Sequence, residues 1–215
     1  RNKIPSGWWD EMNGNQFTLP YTKKASLQRC KTRSNTQVIK DNYIYPYHAK
    51  RNDHYIMDKF LLDYDNGMFI GLFLAEGYSD RYSVRITNCN TNIQNFVKTW
   101  FEKHNLKYDI EDKVNKIGGR SYTIRAFSGL LAEFLDKFVG SGAENKFVPN
   151  EAYLANEDFI RGLISGYISG DGCVSKNYIY VGSASKKLID GISFLLNRLG
   201  IFSKMSLSQT KKNNL

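Results

Sequence analysis

Glu76 and Asp171 each end an apolar run closed by glycine: Phe69-Ile70-Gly71-Leu72-Phe73-Leu74-Ala75-Glu76-Gly77 and Ile164-Ser165-Gly166-Tyr167-Ile168-Ser169-Gly170-Asp171-Gly172. The runs align without gaps, Gly71 with Gly166, Ala75 with Gly170 and Gly77 with Gly172, so the two acids are copies of one position 95 residues apart. Like-charged carboxylates brought side by side call for a cation between them. A carboxylate pair with open positions, the Ala75 and Gly170 carbonyls nearby and no His or Cys partner suits Mg2+, with Mn2+ as its substitute, better than zinc. Such a pair can run metal-assisted phosphodiester hydrolysis.

What must position those acids is a pair of helices. Residues four apart share a helix face, so Gly71 with Ala75, and Gly166 with Gly170, form smooth helix-packing stripes along which two backbones can approach closely. Parallel packing brings Glu76 and Asp171 together at the C-terminal ends, where the helix dipole gives no help to negative charge. Neither run approaches the 18 or so apolar residues of a membrane span. Taken alone, either run reads as an ordinary buried helix with a glycine C-cap; their repetition favours chemistry.

After the first run, Tyr82, Val84 and Ile86 alternate with Ser83, Arg85 and Thr87, which predicts a half-buried strand. Ile93, Phe96, Val97, Trp100 and Phe101 recur at helical spacing within 92–106. A hairpin around Gly118-Gly119 and a helix carrying Leu130, Leu131, Phe134, Leu135 and Phe138 follow, giving the order α-β-β-α-β-β-α. The second copy restarts with a strand at Ile179 and Val181, a helix over Leu188, Ile192, Leu195, Leu196 and Leu199, and a strand from Ile201 to Leu207. It ends one strand and one helix short of its twin, which leaves an exposed sheet edge.

These runs resemble the paired dodecapeptide motifs of the LAGLIDADG homing endonucleases, in the two-motif, single-chain form found in inteins. The lead-ins, Leu61 to Met68 and Phe159 to Leu163, are similar as well, and the resemblance extends from residue 40 or so to the end. It implies an α+β fold, a duplicated αββαββα arrangement with the second repeat truncated at its C-terminus. The division is then a basic N-terminal segment, 1–57, a first repeat, 58–148, and an incomplete second repeat, 149–215. The resemblance also implies that Glu76 and Asp171 bind the metals. Asn145-Lys146-Phe147-Val148-Pro149 is similar to the family's Lys-x-x-Pro segment, which makes Lys146 the third catalytic residue, near the scissile phosphate or its attacking water. The matching lysine of the second copy would fall near position 241, past Leu215.

Lys and Arg outnumber Asp and Glu by 30 to 21, and the excess of nine favours a polyanionic partner. Residues 1–57 hold ten of the basic residues against four acids, interleaved with Trp8, Trp9, Phe17, Tyr21, Tyr43, Tyr45 and Tyr47. They read as a DNA-contacting arm, a solvated basic surface, or the border of an intein splicing domain. One sheet face carrying Ser83, Arg85, Thr87, Lys113, Arg120, Thr123 and Arg125, with Tyr178 and Tyr180 from the second copy, is expected to lie along a DNA major groove. Cys30, Cys89 and Cys173 and His48, His54 and His104 show no ligand spacing, and the cysteine usage fits a reducing compartment.

The expectation is a monomeric, intracellular, site-specific double-strand DNA endonuclease using Mg2+ and carried in a host protein as an intein. The alternatives are a non-cleaving DNA- or RNA-binding relative, maturase-like or decayed, a fragment of a self-splicing intein, or a structural α+β protein. Splicing needs a Cys or Ser at the first intein residue and a His-Asn pair at its end, and Arg1 and Leu215 supply neither.

Overall fold

Four short strands lead into the motif region: β1 (Gln16–Thr18), β2 (Gln37–Lys40), β3 (Tyr43–Pro46) and β4 (Ile56–Met57). The computed structural model describes these strands and residues 59–114 and 118–207; the other basic and aromatic positions singled out within 1–57 lie outside the described residues. Strands β2, β3 and β4 form one antiparallel sheet, while β1 pairs with β5 (Lys59–Leu61), the lead-in to the first motif.

Asp63 then opens helix α1 (Tyr64–Glu76) by accepting from the Asn66 amide at 2.8 Å, as a good N-cap does. β6 (Gly77–Ser79) leaves directly from the helix end, and β7 (Val84–Thr87) returns beside it. Helix α2 (Thr91–Lys103), strands β8 (Tyr108–Val114) and β9 (Arg120–Ala126) and helix α3 (Gly129–Val139) complete the first repeat. The four strands make one antiparallel sheet in the order β6-β7-β9-β8. Val84, Ile86, Ile124 and Ala126 point to its helix-covered side and are buried, as a two-layer α+β arrangement requires. Phe69 of α1 stacks on Trp100 of α2 at 3.5 Å, and the Trp100 indole donates to Asn66. The expected αββαββα order is present in full here.

Helix α4 (Glu157–Asp171), strands β10 (Cys173–Val174) and β11 (Ile179–Tyr180) and helix α5 (Lys186–Arg198) repeat that plan. The 95-residue offset persists well past the motifs. Asn90 caps α2 and Ser185 caps α5; buried Ile93, Val97 and Trp100 match Leu188, Ile192 and Leu195. The Asp80–Ser83 backbone turn recurs as Ser175–Tyr178, and the Leu106 amide bond to Phe101 recurs as Ile201 to Leu196.

Two expectations need correction. Residues 201–207 are not a strand: among the described residues no strand pairs with them, and Phe202 and Leu207 are exposed. Their counterpart β8 reaches its sheet only through β9. Tyr82 does not share the buried face of Val84 and Ile86 but lies exposed in the turn before β7. Among the described residues no helix is long and apolar enough to cross a membrane.

Candidate functional site

The site is built on the seam between α1 and α4. A methyl group added to Gly71 would overlap the Leu163 carbonyl oxygen and stand 2.6 Å from the Tyr167 nitrogen; on Gly166 it would overlap the Met68 carbonyl and stand 2.9 Å from the Leu72 nitrogen. These obstacles are backbone, so no rotamer change relieves them. Gly67 and Gly162 stand in the same contact one turn earlier, against the Phe159 and Tyr64 carbonyls. Sequence reasoning missed this second pair, although both glycines lie four residues before those it named. Toward the C-terminal ends the seam opens slightly, with Gly170 facing the Ala75 methyl. The in-register neighbours along this seam differ by about 95 residues, so the duplication and the packing are one symmetry.

That symmetry carries Glu76 and Asp171 to the same end, each the last residue of its helix. Gly77 and Gly172 follow in extended conformation, with φ of −82° and −79°, and donate to the Phe73 and Ile168 carbonyls. Glycine is required there by space, because a side chain would overlap those same carbonyl oxygens. Burial raises the Glu76 pKa, the Asp171 charge raises it further, and Lys146 opposes both. Burial likewise raises Asp171 against the pull of Lys146. Two partly desolvated acids, one feeling the other, are an unfavourable pair until a cation joins them.

Lys146 is buried and donates to three carbonyl oxygens at the end of α1: Phe73 at 2.8 Å, Leu74 at 3.0 Å and Gly77 at 2.8 Å. It satisfies groups that a helix end otherwise leaves without partners. Desolvation lowers its pKa to about 8, against the support of Asp171 and Glu76. Its charge reaches the acids, while all three of its N–H donors are taken. Ser185 at the start of α5 donates to the Lys146 carbonyl at 2.6 Å, and Gly191 of α5 lies against Val148, so the second repeat clamps the lysine segment of the first. Among the described residues no cation caps α4 in the same way.

The donor set suits a hard divalent cation: two carboxylates, oxygen only, with no trio of His, Cys, Asp or Glu among the described residues. Glu76 and Asp171 would hold it, with the Ala75 and Gly170 carbonyls as the backbone oxygens of the helix ends, and water or phosphate would supply the remaining positions.

The expected DNA face is partly reassigned. Arg85, Thr87, Lys113, Thr123 and Arg125 share the side of the first-repeat sheet turned away from the helices. Arg120 has the parity of Ile124 and Ala126 and so projects from the opposite side, at the overhanging end of the hairpin. Ser83 is buried, its hydroxyl donating to Asp80 at 2.9 Å, and is not on the open face. Thr87 and Thr123 bond each other. The cations are paired: Arg85 with Asp80, Lys113 with Glu111, Arg120 with Asp112 and Arg125 with Asp109. Sequence reasoning named the bases and missed the acids that balance them, although β8 alone carries Asp109, Glu111 and Asp112. Tyr178 and Tyr180 are exposed, their rings 6.0 Å apart.

Comparison with known proteins places this arrangement among relatives. Residues 158–215 match the family model of a LAGLIDADG-like domain. The RNA polymerase subunit Rpo1C of Methanocaldococcus jannaschii is 41% identical over 167 residues, 77% of this chain and 19% of that protein. The replication factor C small subunit of the same organism is 27% identical over 150 residues, 68% of this chain and 8% of that protein. The chain thus spans a fifth or less of these curated relatives. In fold it is similar to I-DmoI crystallised with DNA and Mn, with a TM-score of 0.53 and 17% identity over 69% of this chain and 84% of that one.

Proposed function

Because this chain belongs to the LAGLIDADG family, we propose that it is a site-specific double-strand DNA endonuclease, hydrolysing phosphodiester bonds with a divalent metal, Mg2+ or Mn2+, held by Glu76 and Asp171. The observation that carries the reading is the convergence of those two acids, Glu76 half-buried and Asp171 exposed beside it, at one end of two helices packed backbone to backbone. Bound there, the cation supplies Lewis-acid polarisation of a phosphoryl oxygen and eases ionisation of an attacking water.

The protein's own groups do the rest. Glu76 and Asp171 offer one carboxylate from each repeat, which suits attack on two strands. Lys146 holds the end of α1 and keeps a positive charge beside the acids, so that the pair and its metal carry less unbalanced charge when phosphate arrives. The sheet face sets where the DNA lies, and two non-identical repeats suit a partly asymmetric target read by a monomer.

An origin as an intein segment, 1–57 included as its border, is supported by the relatives. An RNA polymerase subunit and a replication factor have unrelated tasks, yet each matches this segment over a small part of its length. A second reading, a DNA- or RNA-binding relative that does not cut, is favoured by one observation: every N–H of Lys146 is already engaged.

The test is cleavage of a plasmid library by the chain in Mg2+, Mn2+ and Ca2+, beside Asp171→Asn. Site-specific breaks from wild type in Mg2+ or Mn2+, absent from the variant, are expected. Sequence-selective binding without breaks in any metal would favour the binding-only relative, and no DNA binding at all would overturn both readings.

A further inference from the structure

One row of side chains crosses the whole first-repeat sheet on its open side: Tyr78, Arg85, Arg125 and Asp109, in direct register from β6 to β8. Arg85 and Arg125 are cross-strand neighbours, and like charges directly opposite destabilise a sheet. Carboxylates offset this from both flanks. Asp80 accepts from Arg85 at 2.9 Å, and Asp109 takes the Nε and Nη2 of Arg125 together as a fork. The Tyr82 amide first, then Ser83 and Arg85, hold Asp80 below the usual carboxylate range. Among the described residues the buried Arg85 Nε finds no hydrogen-bond partner.

We infer that this row reads a G·C pair in the half-site under the first repeat, with Arg125 donating bidentately to guanine O6 and N7 and Asp109 accepting from cytosine N4. The inference rests on the endonuclease reading above. The chemistry matches on both sides of the base pair: guanidinium forks suit guanine, and carboxylates suit the cytosine amino group. Exposed ion pairs hold weakly in water, so the Arg125–Asp109 pair exchanges readily for a base edge. The same carboxylate repels phosphate, which makes these arginines poor contacts for unrelated DNA. At the positions equivalent to Tyr78, Arg85 and Asp109 the second repeat carries Cys173, Tyr180 and Lys204, so this row is not repeated there.

The experiment is selection from a randomised duplex library by the full chain in Ca2+, with sequencing of the bound fraction. Wild type is expected to select G·C at one position in one half-site. Arg125→Gln should lose that preference by roughly 10- to 100-fold, and Asp109→Asn should relax it while binding unrelated DNA more tightly. Arg125→Lys keeps the charge without the planar fork and should keep affinity while weakening the preference. Lys103→Gln, on the helix side of the repeat, should change nothing. Unfolding midpoints check that each variant is folded.

A preference untouched by these changes would overturn the inference and leave the endonuclease reading standing. Loss of affinity uniform over all sequences would also overturn it, by making Arg125 a phosphate contact. A wild type that selects no sequence would overturn both.

Discussion

The two repeats keep their helices in step and let their sheets diverge. From Gly67 and Gly162 to Leu106 and Ile201 the chain holds a constant 95-residue offset, through caps, buried positions and turns. Yet the Tyr78–Arg85 pair of one repeat is the Cys173–Tyr180 pair of the other, and Asp80 is Ser175. The end of α1 is capped by Lys146, whereas among the described residues nothing comparable caps α4. The difference separates two kinds of constraint. A backbone-to-backbone seam tolerates almost no change on either side, while a solvent-facing strand is free to follow whatever it touches.

The sharpest way to break the comparison is to make the two acids unequal. Glu76→Gln and Asp171→Asn are each expected to cut cleavage by about 1,000-fold, the scale of removing a key electrostatic group, while binding in Ca2+ persists. If one half-site falls silent and the other stays active, strand-resolved nicking will show which acid serves which strand. Loss of binding alongside cleavage would instead mark a structural role.

Next in size is the seam. Gly71→Ala should destabilise the protein by about 3 kcal/mol or more, above the usual cost of overpacking because the clash is with backbone. Gly170→Ala, which meets the Ala75 methyl and the Glu76 side chain first rather than a backbone carbonyl, should cost about 1 kcal/mol. Urea unfolding of the two variants measures both. Similar midpoints would deny that the symmetry is held by backbone contact.

Much of this was legible beforehand because it rests on local period. The four-residue spacing of small residues located the seam, and the 3.6-residue period of Ile93 to Phe101 and of Leu188 to Leu199 located α2 and α5. Arg120 was also readable, since it shares the parity of Ile124, and alternation decides its side whatever its charge. Ser83 was not readable: its burial follows from the Asp80 turn, which cuts the strand short at Val84. Nor could sequence place the Lys146 ammonium on three carbonyls more than 65 residues upstream, a purely tertiary contact. The missing strand at 201–207 had the right composition and no partner, and a strand without a ladder is not a strand.

Lys146→Met sharpens the asymmetry at the helix ends. It removes three hydrogen bonds from buried carbonyls and should cost about 2 kcal/mol of stability, with cleavage lowered in proportion to how far Glu76 shifts. The pH dependence gives an independent reading. A lysine with a native pKa of about 8 loses its proton in the folded state before the unfolded chain does. Between pH 8 and the ordinary lysine value the unfolded state binds more protons, so this group makes stability rise with pH in that window. Glu76 and Asp171 act oppositely: their raised native pKa values make stability fall as pH climbs through the acidic range, from the ordinary carboxylate value upward. Thermal unfolding from acid to alkaline pH, without metal, should show both limbs. Lys146→Met should erase only the alkaline one.

The smallest expected effect tests whether the sheets diverged for the reason proposed. Tyr180→Arg puts a guanidinium at the position of Arg85 in a repeat that has Ser175 in place of Asp80 and an uncharged Cys173 beside it. No carboxylate from the equivalent turn restrains the new charge, so it is free to meet phosphate. Affinity for unrelated duplex DNA should rise by a few-fold at low salt, and the salt dependence should steepen by about one counterion. Adding Ser175→Asp should restore the restraint, returning the salt slope toward wild type while leaving the arginine in place. Were the single variant to behave like the double one, the acids of the first repeat would be bystanders to specificity. The divergence between the two sheets would then reflect which bases each half meets rather than how each holds its arginines.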